Sequence, residues 1–272
     1  MSKRALITGV TGQDGSYLAE YLIDEGYDVH GTIRTTTQDL AETRIGAIIK
    51  GDEPALTVHV TDLGDSASLT RLMAEIRPHE VYNLGAQSHV RASFDQPIHT
   101  GDVTGVGAVR LLEAIRQIDP EIRFYQASSS EMFGSAPPPQ DELTPFHPRS
   151  PYAVAKVFAY WSTINYREAY GFHASNGILF NHESPRRGKE FVTRKITSTI
   201  PLLVTGEQKV LRLGNLDAKR DWGHARDYVK AMHAIVQLDE PVDIVIGTGE
   251  THSVRDSLSA AFSVVDLDWE DY

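Results

Sequence analysis

The run ALITGVTGQDGSYLAEYL, residues 5 to 22, limits the fold of this 272-residue chain more than any other stretch. ALIT is a short apolar strand, TGVTGQDG carries glycines at positions 9, 12 and 15, and SYLAEYLIDEG then places apolar residues at helical spacing. A strand that turns through glycines straight into a helix opens a βαβ unit. At this spacing Gly9, Gly12 and Gly15 let backbone N–H groups approach a pyrophosphate at the helix N-terminus. The preceding MSKR is basic and the apolar run after it is brief, so the N-terminus reads as a first buried strand rather than a signal peptide.

The alternation continues. DVHGTI (28–33), LTVHV (56–60), EVYNL (80–84), RFYQAS (123–128) and SNGILF (175–180) are strand-like, with SASLTRLMAEI and TGVGAVRLLEAI among the helical segments between them. Such a pattern predicts right-handed crossovers and a parallel sheet covered on both faces: an α/β, Rossmann-type doubly wound fold. From Asn181 the texture becomes polar and irregular. VTRKITSTIPLLV reads as a helix, VLRLG as a short strand, Ala225–Leu238 as a helix and DIVIG as a strand. The expected division is a dinucleotide-binding domain over 1–180, with elements near 221–248 returning to it. Residues 181–220 and 249–272 form a smaller, interleaved C-terminal substrate lobe. PPPQDELTPFHP (137–148) is the most loop-like piece.

Composition narrows the function class. With 41% hydrophobic and 23% charged residues the chain is globular, and no apolar run approaches the ~18 residues of a membrane span. It has no cysteine, hence no disulfide and no thiolate, and a cytoplasmic location is expected. A net charge of −11 argues against a general nucleic-acid binder.

Three further stretches carry chemistry. DVHGTIR ends without the acidic residue that would hold an NAD ribose and continues into Arg34, which suits the 2′-phosphate of NADP. Asp62 and Leu63 follow the third strand where an adenine contact falls, and Leu84, Gly85, Ala86, Gln87 and Ser88 follow the fourth, along the cofactor channel. In TPFHPRSPYAVAKVFAYW (144–161), Ser150 caps a helix that starts at Pro151, and Tyr152 and Lys156 share one face at i, i+4. An ammonium beside a phenol favours the phenolate, a base of ordinary pKa ~10 brought toward neutral pH. The other apolar residues of that helix, Val154, Val157, Phe158 and Trp161, read as packing. ASSSEMFG follows the fifth strand, so Ser128, Ser129, Ser130 and Glu131 lie where open α/β sheets meet their ligands, although serines in such a loop also serve as caps.

Together these features resemble the extended short-chain dehydrogenase/reductase superfamily. ITGVTGQDGSYLAEYL, YNLGAQSHV, QASSSEMFG, PFHPRSPYAVAK, NGILFNHESPRRGKEFVTRKIT and GNLDAKRDWGHARDYV resemble, more narrowly, the GDP-mannose 4,6-dehydratase family. The resemblance implies a tightly held, recycled NADP. It implies Tyr152 with Lys156 as the base at the sugar C4 hydroxyl, Glu131 as the base at C5, and Ser129 assisting loss of the C6 hydroxyl. It adds Thr11, Gln13, Asp14, His99, His182 and Arg187 to the cofactor contacts, with Arg187 able to serve a neighbouring subunit. Asn181, Val192, Lys195 and Arg220, with Ser88, Ser129, Glu131 and Tyr152, become contacts to GDP-mannose. A homodimer or homotetramer is implied, and no metal.

The chain also departs from the family pattern. Serine at 129 stands where threonine is usual, keeping the hydroxyl without the methyl that stiffens χ1. His99 replaces a tyrosine, and Thr35 replaces the second of two arginines after the second strand. The sequence stops at LDWEDY where family members run on, so the substrate lobe reads as truncated. A GDP-sugar epimerase or reductase on the same scaffold, or a catalytically impaired nucleotide-sugar-binding protein, are the competing readings. The Ser129/Glu131 pair argues against the first, because neither epimerase nor reductase needs an elimination.

Overall fold

A computed structural model describes residues 2–50 and 54–272. The chain begins with β1 (Arg4–Thr8), α1 (Gln13–Asp24), β2 (Asp28–Ile33), β3 (Leu56–Val60), α2 (Ser66–Ile76) and β4 (Glu80–Asn83). Two short helices, α3 (Val90–Asp95) and α4 (Pro97–Thr100), pass through a π-helical turn at Gly101–Val106 into α5 (Gly107–Ile118). Next come β5 (Arg123–Ser129), α6 (Pro151–Tyr170) and β6 (Ala174–Leu179). The remaining elements are β7 (Asn181–Glu183), α7 (Val192–Val204), β8 (Lys219–Arg220), β9 (Trp222–His224), α8 (Ala225–Gln237), β10 (Asp243–Ile246), β11 (His252–Ser253) and α9 (Val254–Ser263).

Seven strands form one sheet in the order β10-β6-β5-β4-β1-β2-β3, and every pairing in it is parallel. This is the Rossmann-type doubly wound sheet expected from the alternation. The strand order reverses between β1 and β4, so the loops leaving those two strands diverge and open a crevice. Against the sheet, Leu69 and Met73 of α2 and Leu111, Leu112 and Ile115 of α5 close over Leu6, Val81 and Phe124, all at most 1% exposed. Burying each such side chain contributes roughly 1.5–3 kcal/mol.

Met1–Leu179 with Arg226–Ile246 make up one compact unit, and Phe180–Ala225 with Gly247–Tyr272 a second. In the second, β7 pairs parallel with β9 and β8 antiparallel with β11. Ile196, Ile200 and Leu203 of α7 pack with Val254, Leu258 and Phe262 of α9. VLRLG is not a strand. Leu211 and Leu213 alternate because they pack against this small apolar cluster, while no ladder partner lies beside them among the described residues.

Candidate active site

The glycine turn sits at the switch point. Gly9 has φ +70° and faces the loop after β4; a Cβ there would lie 3.0 Å from the Gly85 Cα. A Cβ on Gly15 would meet the Gly9 carbonyl at 2.4 Å, so α1 can approach β1 this closely only with glycine at that position. Gly12 is the N-cap of α1 and contributes no side-chain cap. Gln13 is buried and donates to Asp14 Oδ1 at 3.0 Å. Thr11 accepts through its carbonyl from Arg44 Nη1 at 3.2 Å, a basic contact with no sequence signal beyond its charge. Arg34 leaves β2 exposed.

Further along the channel, Asp62 holds its own turn by accepting from Gly64 N at 2.7 Å. Leu63 is 8% exposed and belongs to the hydrophobic core, its carbonyl held by Arg110 Nη1 at 3.2 Å. Leu84, Gly85, Ala86 and Gln87 are half-buried beside it, while Ser88 and, on α4, His99 are exposed.

The sequence shapes α6 locally. Ser150 Oγ accepts from Ala153 N at 3.1 Å, Pro151 occupies the first turn, and Gly171 closes the C-terminus with φ +73°. Tyr152 is 8% exposed and Lys156 4%, on the buried face. The Lys156 ammonium lies 5.8 Å from the Tyr152 ring centre and donates to the Ala127 carbonyl at 2.6 Å. Burial pushes its pKa down to about 8, against the opposing pull of the Asp14 charge. Ala127 is followed in β5 by Ser128 and Ser129, and then by a turn carrying Glu131. Ser129 and Glu131 are half-buried, with Ser129 Oγ accepting from Glu131 N at 3.2 Å. Ser128 belongs to the core instead, 3% exposed and donating to Asn176 Oδ1 at 3.1 Å. Thus the Tyr152/Lys156 pair on α6 is tied to the residue two before Ser129, at the carboxyl end of β5.

The outer face of α6 differs from the expectation of packing. Val154, Phe158 and Trp161 are 55%, 50% and 56% exposed. Helical spacing alone does not tell a face buried in the same chain from one turned outward.

In the second unit Asn181, Arg187, Val192 and Arg220 line one cavity of about 270 Å³, together with Glu183, Phe191, Asn215 and Trp222. Arg187 stacks on Phe191 with its guanidinium carbon 3.7 Å from the ring centre, and its Nε is 3.3 Å from Glu183. Phe191 and Glu183 belong to the stretch NGILFNHESPRRGKEFVTRKIT, in which the sequence gives them no distinct signal. Lys195 and His182 are not among these lining residues. Lys195 is exposed and donates to the Arg212 carbonyl at 2.6 Å, and His182 is buried, its Nδ1 2.7 Å from the Phe180 carbonyl.

A family model described as GDP-mannose 4,6 dehydratase matches residues 6–272. The chain belongs to the GDP-mannose 4,6-dehydratase family. GDP-mannose 4,6 dehydratase of Dictyostelium discoideum is 53% identical over 97% of this chain and 76% of its own length. The Vibrio cholerae serotype O1 dehydratase is 54% identical over 98% and 73%, and that of Homo sapiens 53% over 95% and 71%. Among solved structures, a dTDP-glucose 4,6-dehydratase of Bacillus anthracis in complex with NAD superposes with a TM-score of 0.85 at 22% identity, covering 99% of this chain and 83% of that one. RMD from Pseudomonas aeruginosa, complexed with NADPH, gives 0.80 at 23%, with 98% and 83% covered. At that identity these two show a shared fold. Among the described residues of this dehydratase-family chain, no helix is long and apolar enough to cross a membrane and no side-chain cluster could hold a metal ion.

Proposed function

We propose that this chain is a nicotinamide-dependent hydro-lyase that converts GDP-mannose to GDP-4-dehydro-6-deoxy-mannose and water. One observation carries the reading. The buried Tyr152/Lys156 pair is fastened to β5 two residues before Ser129 and four before Glu131, so groups for proton removal and for elimination occupy one strand end. Lys156 supports the Tyr152 phenolate, which takes the C4 hydroxyl proton. The C5 proton goes to Glu131, which passes it to the C6 hydroxyl so that water departs with the help of the Ser129 hydroxyl, and the proton held by Tyr152 returns to C5 as hydride reaches C6. When bound, the nicotinamide supplies reversible hydride chemistry, taken up from C4 and returned at C6, so that no net oxidation results.

The residues fit that cofactor. The cradle at Gly9, Gly15 and Gly85 has no room for side chains, and α1 is uncapped toward it. NADP is the form proposed, because Arg34 stands after β2 where NAD binding would place an acid, and Arg44 reaches the Thr11 carbonyl in the glycine turn. The cavity of the second unit takes the nucleoside diphosphate, with Arg187 and Arg220 as cations for it, while Lys195 on α7 lies outside its lining.

Purified protein incubated with GDP-mannose and no added nicotinamide is expected to yield a product lighter by one water, followed by mass spectrometry. Glu131→Gln abolishes the loss. An isomer of unchanged mass points instead to an epimerase, and binding without turnover to a nucleotide-sugar-binding protein; either overturns the reading.

A homo-oligomer is also proposed, through the outer face of α6. Val154, Phe158 and Trp161 recur at i, i+4 and i+7, and Phe94, Ile98 and Val106 on the adjoining short helices are also exposed, at 53%, 87% and 38%. Contiguous apolar surface of this kind marks an interface. Arg91 and Asp95 lie exposed on α3, so a second copy related by a two-fold axis can set each charge against its opposite. Phe158→Asp with Trp161→Asp is expected to reduce the sedimentation mass to one chain. A monomeric parent at about 10 μM, or a variant of unchanged mass, removes this assignment.

A further inference from the structure

A row of polar side chains crosses the centre of the seven-stranded sheet at one register. Thr8 of β1 stands opposite Asn83 of β4, which stands opposite Gln126 of β5. They are 0%, 1% and 1% exposed, an expensive place for a hydroxyl and two amides unless all are satisfied.

They are satisfied in one direction. The Gly85 N–H donates to Thr8 Oγ1 at 2.9 Å, and the Thr8 hydroxyl donates to Asn83 Oδ1 at 2.7 Å. Asn83 Nδ2 then donates to Gln126 Oε1 at 2.8 Å, and Gln126 Nε2 donates to the Ala127 carbonyl at 3.0 Å. A backbone N–H can only donate and a backbone carbonyl can only accept, so the two ends fix the orientation of both amides between them. The carbonyl that ends the chain is also the seat of Lys156 Nζ. Ala127 is one residue past the last pairing of β5 with β4. The first member, Gly85, is the glycine that faces Gly9 across the switch point.

We propose that Thr8, Asn83 and Gln126 form a positioning relay that links the loop after β4 to the carbonyl seating Lys156. The relay rests on the reading of Lys156 as half of the base pair. It explains why the row is polar. An apolar row would fill the same space, but it would leave the Ala127 oxygen with the lysine as its only side-chain donor and the Gly85 N–H without its acceptor. With the relay intact, the two lone pairs of Ala127 O are divided between an amide and the ammonium, and Lys156 has one place to sit. When a link is cut, the amides beyond it are free to turn, and Gln126 can then present Oε1 in place of Nε2 beside the Ala127 carbonyl, a second acceptor that draws the lysine off its seat.

Thr8→Val removes the hydroxyl four hydrogen bonds away from Lys156 and preserves shape, and Gln126→Met removes the last link. Both are expected to lower kcat about tenfold with KM within about twofold, as misplacement of a reacting group does. In protein labelled with ¹³C at lysine Cε, both move the Lys156 titration by more than about 0.5 pH unit, a readout that needs no turnover. Thr8→Ser restores both quantities. A purely structural row would instead lower the melting temperature of Thr8→Val and Gln126→Met while kcat, KM and the Lys156 titration stay as in the parent, and that result overturns the relay. Lys156→Met separates the two layers. Full turnover in that variant removes the lysine from the chemistry and the proposed function fails with it. If turnover is lost there while the relay variants behave as the parent, only the relay falls.

Discussion

Lys156→Met is expected to be inactive and, at neutral pH, more stable than the parent chain. The loss follows from the phenol. Without an ammonium 5.8 Å from its ring centre, Tyr152 loses the charge that favours its phenolate, an effect of about 10²–10⁴-fold on kcat. The gain in stability follows from burial. At 4% exposure the charged lysine is poorly solvated, which is why its pKa falls to about 8. The unfolded chain holds the proton up to ~10.4, so between those values it binds more protons than the native state and stability rises with pH. Below pH 8 the penalty is present in full, up to roughly 3 kcal/mol, and methionine removes it. Thermal unfolding of both proteins from pH 6 to 10.5 is the measurement. The advantage of the variant is greatest below pH 8, narrows above it, and disappears near ~10.4. The parent's kcat falls over the same upper range as the ammonium loses its proton. A variant active within tenfold of the parent, or one less stable at pH 7, contradicts this account.

Much of that site was legible in the residues because its signals are local. Ser150 and Pro151 before α6, Gly171 after it, and the four-residue interval from Tyr152 to Lys156 all lie within one helix. The strand-turn-helix of the cofactor cradle is contiguous as well. Features that depend on register were not legible. Positions 8, 83 and 126 are scattered in sequence, and their polar row exists only once β1, β4 and β5 are paired. The three-residue strands β7 and β9 are too short for a periodic signal, so their parallel pairing went unseen. VLRLG misled for the opposite reason, since alternation came from a small apolar cluster without any ladder. Phe158 and Trp161 show a third kind of failure: an apolar stripe states that something covers it, and not whether that cover belongs to the same chain.

Glu80 presents the reverse of Lys156, a buried charge whose removal is expected to cost the fold and spare the chemistry. It begins β4, at the opposite end of the strand from the cofactor channel, and in the sequence it is one more acid before a strand. In the structure it is 1% exposed and accepts from Tyr82 Oη at 2.7 Å, Tyr27 Oη at 3.0 Å, Gln237 Nε2 at 3.0 Å and Lys3 Nζ at 3.3 Å. Burial alone would raise its carboxyl. The donors from Gln237, Tyr82 and Tyr27, with the Lys3 charge, outweigh burial and hold it below the usual carboxylate value. Those bonds join the start of β1, the turn before β2, the root of β4 and the end of α8 at one carboxylate. Glu80→Ala strands the Tyr82 hydroxyl in a fully buried place and opens a cavity beside it, which should cost about 3–5 kcal/mol, or about 10 °C in melting temperature. Glu80→Gln keeps one acceptor and the shape, and should lose less than half of that. Because the folded pKa is depressed, the stabilisation is complete above the unfolded value of ~4.3 and is lost as pH falls through the folded one, so parent and Glu80→Ala converge in acid. Activity per folded molecule is unchanged in both variants. A Glu80→Ala protein within about 1 kcal/mol of the parent at pH 7 would show that the four donors find other acceptors or water, and that the base of the sheet is held by packing alone.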